Sequence, residues 1–203
     1  MKRLPTYLAA VLLSASFSAA NAGDLDAMMK GCNDCHGDNG VSQWAEVPTI
    51  AGLAEFVHVD ALYVYKDEAR PCHEAKYHQG DTSRPATSMC AISAELSEDD
   101  IDALAAAYAE LPYVKAKQDF DAGLATAGKA LHDEHCDKCH SDAGTNPEDE
   151  AGMLGGQMMG YLTQTFADYM SGDRDQPGKM KEKMDQLSDD DVKALVNYYG
   201  SVQ

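Results

Sequence analysis

Two stretches, one near position 100 and one near position 190, carry the same alternation of apolar and polar residues. Behind Ser97-Glu98-Asp99-Asp100, apolar side chains recur at Ile101, Leu104, Tyr108 and Leu111. Behind Ser188-Asp189-Asp190-Asp191 they recur at Val192, Leu195, Val196 and Tyr199. Steps of three and four place each set on one stripe of a helix. Each run opens on a serine with an acid three residues on, which predicts an N-cap close to a capping box. Shorter apolar segments predict further helices over residues 25–30 and 120–132, and over 55–65 and 160–170. Nothing alternates with a period of two, so the fold class expected is all-α.

The matching helices belong to a longer internal repeat, and a repeat outranks local propensity. Ile101, Leu104 and Tyr108 correspond to Val192, Leu195 and Tyr199, each 91 positions later. Met89 stands seven residues before Leu96-Ser97, and Met180 seven before Leu187-Ser188. Cys32-Asn33-Asp34-Cys35-His36 returns as Cys136-Asp137-Lys138-Cys139-His140, and sixteen residues after each histidine comes a glycine, Gly52 or Gly156. The halves differ by about 13 extra residues between roughly Lys66 and Ser88. Leu111-Pro112-Tyr113 closes the first half, and residues 114–118 form a short link. The expected domains are therefore 23–112 and 113–203.

Residues 1–22 read as a signal peptide. Lys2 and Arg3 form a positive start, an apolar run follows from Leu8 to Ala20, and Ala20-Asn21-Ala22 is an A-x-A cleavage site. The run is shorter than a spanning helix needs, and Ser14, Ser16 and Ser18 interrupt it. The mature chain is expected to be periplasmic, with no membrane span.

The formal net charge is −18, and it falls to −20 once Lys2 and Arg3 are removed. Such acidity argues against a nucleic-acid partner. Six cysteines are present, four of them in the repeated motif. In an oxidising compartment the remaining pair, Cys72 and Cys90, is expected to form a disulfide that tethers the extra segment beside Met89. Closing a loop of that length stabilises by about 3 kcal/mol.

Cys-x-x-Cys-His is the attachment sequence for a c-type haem. Its competitors are a zinc half-site and a redox dithiol. Zinc needs further Cys or His ligands in each half, and both spare cysteines lie in the first. A redox dithiol needs no histidine directly after it, twice. Two covalent haem c groups are therefore expected, held by Cys32, Cys35, Cys136 and Cys139, with His36 and His140 as proximal iron ligands. Covalent haem also supplies apolar volume to two domains near the size at which a peptide core alone is marginal.

For the distal ligands, Met89 and Met180 stand out among ten methionines because they alone hold matching places in the repeat. Met184 aligns with Ser93 and reads as packing or surface. His58, His73 and His78 have no histidine counterparts in the second half, and His132 and His135 lie too close before the second motif. Iron closed by His and Met favours electron transfer over substrate chemistry and argues against a haem peroxidase or gas sensor. Pro48 follows His36 by twelve residues, where its carbonyl can hold the imidazole N–H; Gly152 stands at that place in the second half. Lys179, Lys181 and Lys183 surround Met180, and two readings stay open: solubility at a helix start, or a docking patch at a haem edge.

With these residues in view, each half resembles a class I cytochrome c domain: Cys-x-x-Cys-His, a distal Met, and a Leu-Ser-x-x-Asp helix ending in Tyr. The tandem arrangement resembles cytochrome c4 and the dihaem subunit of flavocytochrome c sulfide dehydrogenase. The stretch from Tyr113 through Ala116-Lys117-Gln118-Asp119-Phe120-Asp121 to Leu131-His132-Asp133 and the second motif is most similar to the flavocytochrome subunit. That resemblance implies an FAD-containing flavoprotein subunit as partner, which oxidises sulfide and passes electrons through the two haems to a soluble cytochrome c or another acceptor. The alternative is a free dihaem carrier of the cytochrome c4 kind, donating to a terminal oxidase or reaction centre.

Overall fold

The structure, a computed structural model, describes residues 22–203; the expected signal peptide lies almost wholly outside the described residues. The first half comprises α1 (Ala22–His36), α2 (Glu55–Lys66), α3 (Met89–Ala94) and α4 (Glu98–Ala109). The second comprises α5 (Ala122–His135), a single turn α6 (Ser141–Gly144), α7 (Met159–Ser171), α8 (Gly178–Met184) and α9 (Asp189–Ser201). The all-α expectation holds: a lone bridge between Ala75 and Thr87 is the sole β contact among the described residues. None of the described helices is long and apolar enough to cross a membrane.

The two C-terminal helices start as their sequences predict. Ser97 accepts from the Asp100 amide while Asp100 accepts from the Ser97 amide, and Ser188 and Asp191 repeat the exchange. Behind these caps Ile101, Leu104 and Tyr108, and then Leu195, Val196 and Tyr199, are buried. The helix before the second motif begins later than expected, at Ala122. Asp121 accepts from the Leu124 amide at 2.9 Å and so fixes the start, which leaves Phe120 outside. The first helix runs further than expected and carries the whole first motif.

The repeat holds in three dimensions. The Gly52 amide donates to the Tyr108 carbonyl at 2.9 Å, and the Gly156 amide to the Tyr199 carbonyl at 2.8 Å. Both glycines take positive φ, 72° and 77°, with neighbouring atoms so close that a Cβ has no room. In the second half a core of Leu162, Phe166, Met184, Leu187, Leu195, Val196 and Tyr199 forms between α7, α8 and α9. Met184, expected as packing or surface, is packing: it is buried in this cluster.

The halves are joined by buried polar contacts. Thr49 and Gln157 exchange two hydrogen bonds of 2.8 Å. The Tyr161 amide donates to the Ala45 carbonyl at 2.8 Å, and Arg70 donates to the Tyr161 hydroxyl at 3.1 Å. Cys72 and Cys90 form the expected disulfide. It holds the start of the inserted segment against α3, and next to Cys72 the ring of His73 reaches Asp168 of the other half at 2.9 Å.

Candidate haem sites

Each motif is delivered by a helix and faced by the tyrosine of the matching C-terminal helix. Tyr108 donates to Asn33 Oδ1 at 2.9 Å and lies within hydrogen-bonding reach of the Cys32 thiol. Tyr199 stands the same way to Cys136 and also bonds His132 Nδ1 at 3.0 Å. Burial raises the pKa of Cys32 and Cys136 above the ordinary thiol value, with the tyrosine hydroxyls opposing. A reactive dithiol has its thiolate stabilised instead. All four motif cysteines are free thiols, the form that addition to a vinyl group requires.

The imidazoles differ between the halves. His36 is buried, and its Nδ1 donates to the Pro48 carbonyl at 2.9 Å, which leaves Nε2 as the free donor atom. Burial pushes its pKa down, so the ring is neutral, as metal ligation requires. His140 is likewise pushed down by burial, with the neighbouring His132 adding. Its Nδ1 is buried and has no protein partner. Gly152 does not take the part of Pro48, so the proline-to-glycine difference read from the sequence has a structural counterpart.

Met89 is the first residue of α3, whose start is capped by Ser88 accepting from the Ala91 amide at 3.1 Å. Met180 sits in the first turn of α8. Both are half-buried. Met180 and Cys136 pack against the same apolar cluster, so motif and methionine border one core. Met89 has the corresponding place, with α3 packed on α2 and α2 on α4.

Further residues join these sites that the sequence reading passed over. His58 on α2 is buried, and its Nε2 has no partner. Its pKa falls to about 4 through burial, with the nearby His36 adding and the Ile50 carbonyl opposing. In the repeat it stands where the second half has Leu162. Arg70 and Arg174 also match, 104 positions apart, and each guanidinium covers the ring of a tyrosine five residues before it, Tyr65 or Tyr169. Among the described residues neither forms a salt bridge; Arg70 is buried, and Arg174, half-buried, keeps one buried nitrogen without a partner. Burial alone would raise the Tyr161 phenol, but the charges of Arg70 and Arg174 outweigh it and hold the group at about 8. Buried cations without counter-charge are costly. The two carboxylates of a haem would supply that charge, so Arg70 and Arg174 fit the group as the thiols do. The paired Tyr-x4-Arg spacing was the available signal.

Comparison with known proteins agrees with this geometry. Residues 123–198 match the family model described as cytochrome C oxidase, cbb3-type, subunit III. The chain is 27% identical to a thiosulfate dehydrogenase electron acceptor of Stutzerimonas stutzeri, over 96% of this chain and 92% of that one. It is 27% identical to cytochrome c4 of Pseudomonas aeruginosa, over 92% and 91% of the two chains. The crystal structure of reduced recombinant cytochrome c4 from Pseudomonas stutzeri superposes with a TM-score of 0.72 at 25% identity, covering 91% of this chain and all of that one. The chain has an all-helical cytochrome c4-like fold of tandem cytochrome c domains. Its two cysteine pairs imply two haem c groups in a dihaem electron carrier.

Proposed function

We propose that the chain is a periplasmic carrier that takes electrons from a dehydrogenase of inorganic sulfur compounds and passes them to a downstream acceptor. Haem, when bound, supplies a one-electron couple at each site. Cys32, Cys35, Cys136 and Cys139 would attach the two groups, His36 and Met89 would hold the first iron, and His140 and Met180 the second. The observation that carries the reading is the matched construction of the sites: an imidazole held neutral by burial after each motif, His36 buried and His140 half-buried, and a methionine at the same place of the repeat in each half. Iron held by a histidine and a methionine would leave no site for substrate, and these residues would serve to hold a potential and exclude water.

Two observations support a sulfur-compound donor. One relative in the comparisons is named as a thiosulfate dehydrogenase electron acceptor. The stretch from Tyr113 to His140 resembles the haem subunit of flavocytochrome c sulfide dehydrogenase. The second resemblance gives the narrower reading, in which an FAD-containing flavoprotein subunit is a permanent partner. Isolation from the native host separates the two. A chain that elutes free of flavin and is reduced by added thiosulfate dehydrogenase is a free carrier. Stoichiometric flavin in a larger complex is the flavocytochrome outcome. Reduction by neither dehydrogenase overturns the proposal.

A further inference from the structure

The two attachment motifs meet their surroundings in opposite ways. Asp34, inside the first motif, is enclosed by the inserted segment. Its carbonyl accepts from the amides of His78 and Gln79 at 2.8 and 2.9 Å, and its carboxylate takes Arg84 at 2.5 Å. Gly80 lies so near that a Cβ there would stand 2.7 Å from Asp34 Oδ1. Cys35 Sγ contacts the Lys76 carbonyl at 3.5 Å. His78 stacks on Trp44 with ring centroids 4.3 Å apart, and Arg84 covers the Tyr77 ring at 3.5 Å. The disulfide closes the base of this segment, and the Ala75–Thr87 bridge ties its two arms together.

The second motif has no such segment. At the place of Asp34 stands Lys138, exposed, with Cys139 exposed beside it. Lys179 and Lys183 are exposed on α8, and none of these three lysines forms an ion pair among the described residues. Lys183 lies close enough to draw down the Cys136 thiol against its burial. Lys181 is paired to Asp185, and Glu182 and Asp137 share the surface, so the local balance stays positive. The contrast extends to the domains. Residues 23–112 carry 17 acids against five Lys and Arg, while residues 113–203 carry 17 against nine.

We infer that the insertion is a cover over the attachment edge of the first haem, and that electron exchange with a partner bearing an acidic face runs through the lysine-lined edge of the second. The inference rests on haem being attached at both motifs. A cover tied by a disulfide, an ion pair and two backbone hydrogen bonds keeps a partner's redox centre away from Cys35. An acidic face is attracted to Lys138, Lys179 and Lys183 and repelled by the first domain.

The test uses the ferrous holoprotein, once a pyridine haemochromogen assay has returned two haems per chain; a lower count is a failure of attachment, not of the cover. Two paramagnetic probes are titrated against assigned amide resonances. A neutral gadolinium chelate reports exposure. It should broaden Lys138 and Cys139 and spare Asn33, Asp34 and Cys35. Hexacyanochromate(III), a redox-inert trianion, should broaden Lys138, Cys139 and Lys183 most. The double variant K138E/K183E should lower that effect at Cys139 by about tenfold. Replacing Cys72 and Cys90 with Ser should expose Asn33–Cys35 to the neutral chelate. If that variant folds poorly, R84A, which keeps the disulfide, should do so at Asp34. Equal broadening of both motifs by the neutral chelate, or a trianion footprint centred on the first domain, overturns the inference. So does unchanged protection of Asp34 in both variants.

Discussion

Gln157 and Thr49 exchange two hydrogen bonds of 2.8 Å across the boundary between the domains, with Gln157 only 2% exposed. Thr49 follows Pro48, whose carbonyl holds His36. A side chain of the second domain thus fixes the loop that orients the His36 imidazole of the first. Leu stands at the equivalent place, Leu53, in the first half. Replacing Gln157 with Leu leaves the Thr49 amide and carbonyl buried without partners, a loss of about 2–4 kcal/mol. The variant should show lower stability in urea and an altered ferric EPR signal for one haem only. A change at both haems, or at neither, contradicts this coupling.

The two methionines proposed as iron ligands are separable. Met89→Ala and Met180→Ala should each remove one of the two sulfur-to-iron charge-transfer contributions in the ferric spectrum. Each should also admit one equivalent of carbon monoxide per ferrous chain. A variant that keeps its full charge-transfer band and stays closed to carbon monoxide means that another residue ligates that iron. His58, buried beside His36 with a free Nε2, is the alternative for the first site.

His58 also gives a pH dependence. Its folded pKa of about 4 lies below the ordinary histidine value of 6.5. Between these values the unfolded chain binds a proton that the folded chain refuses, so stability falls as pH drops from 6.5 towards 4. The loss approaches about 3 kcal/mol at the lower end. His58→Leu, which installs the residue of the second half, should flatten urea-derived stability between pH 7 and 4 relative to the unsubstituted protein. An unchanged slope would mean that His58 is accessible to protons.

Replacing Cys72 and Cys90 together with Ser should lower stability by about 3 kcal/mol. Because the bond closes a loop within the first domain, calorimetry should show that domain melting earlier while the second keeps its transition. A uniform shift of one cooperative transition would indicate that the buried contacts between domains dominate instead.

The repeat made much of the molecule readable before any coordinates. Two identical motifs in register turn a statistical preference into a pair of independent observations, and Tyr108 with Tyr199, Gly52 with Gly156 and the two serine caps all fell into place that way. What the register could not reveal lies where the halves differ or meet. His58 was set aside because it lacked a counterpart, although a residue unique to one half is where the sites can diverge. The Thr49–Gln157 exchange joins positions 108 apart that are unrelated by the repeat, so no periodicity signals it. The insertion was legible as a length difference and as a disulfide; that it folds back over Asp34 depends on amides whose direction only the backbone gives. Arg70 and Arg174 were visible as a repeat pair, but the burial of Arg70 and the lack of an ion pair at either were not.

The Cys72–Cys90 bond bears on how the chain is assembled as well as on how it holds together. One compartment must oxidise two thiols and keep four others reduced until haem reaches them. In an exported chain, as residues 1–22 lead one to expect, Cys32 and Cys35 would leave the export channel before Cys72, and Cys72 before Cys90, so an oxidase acting on the emerging chain would meet the wrong pair first. The yield of mature protein is then set by a race between two maturation chemistries, thiol oxidation and haem ligation, and the first domain is where they compete.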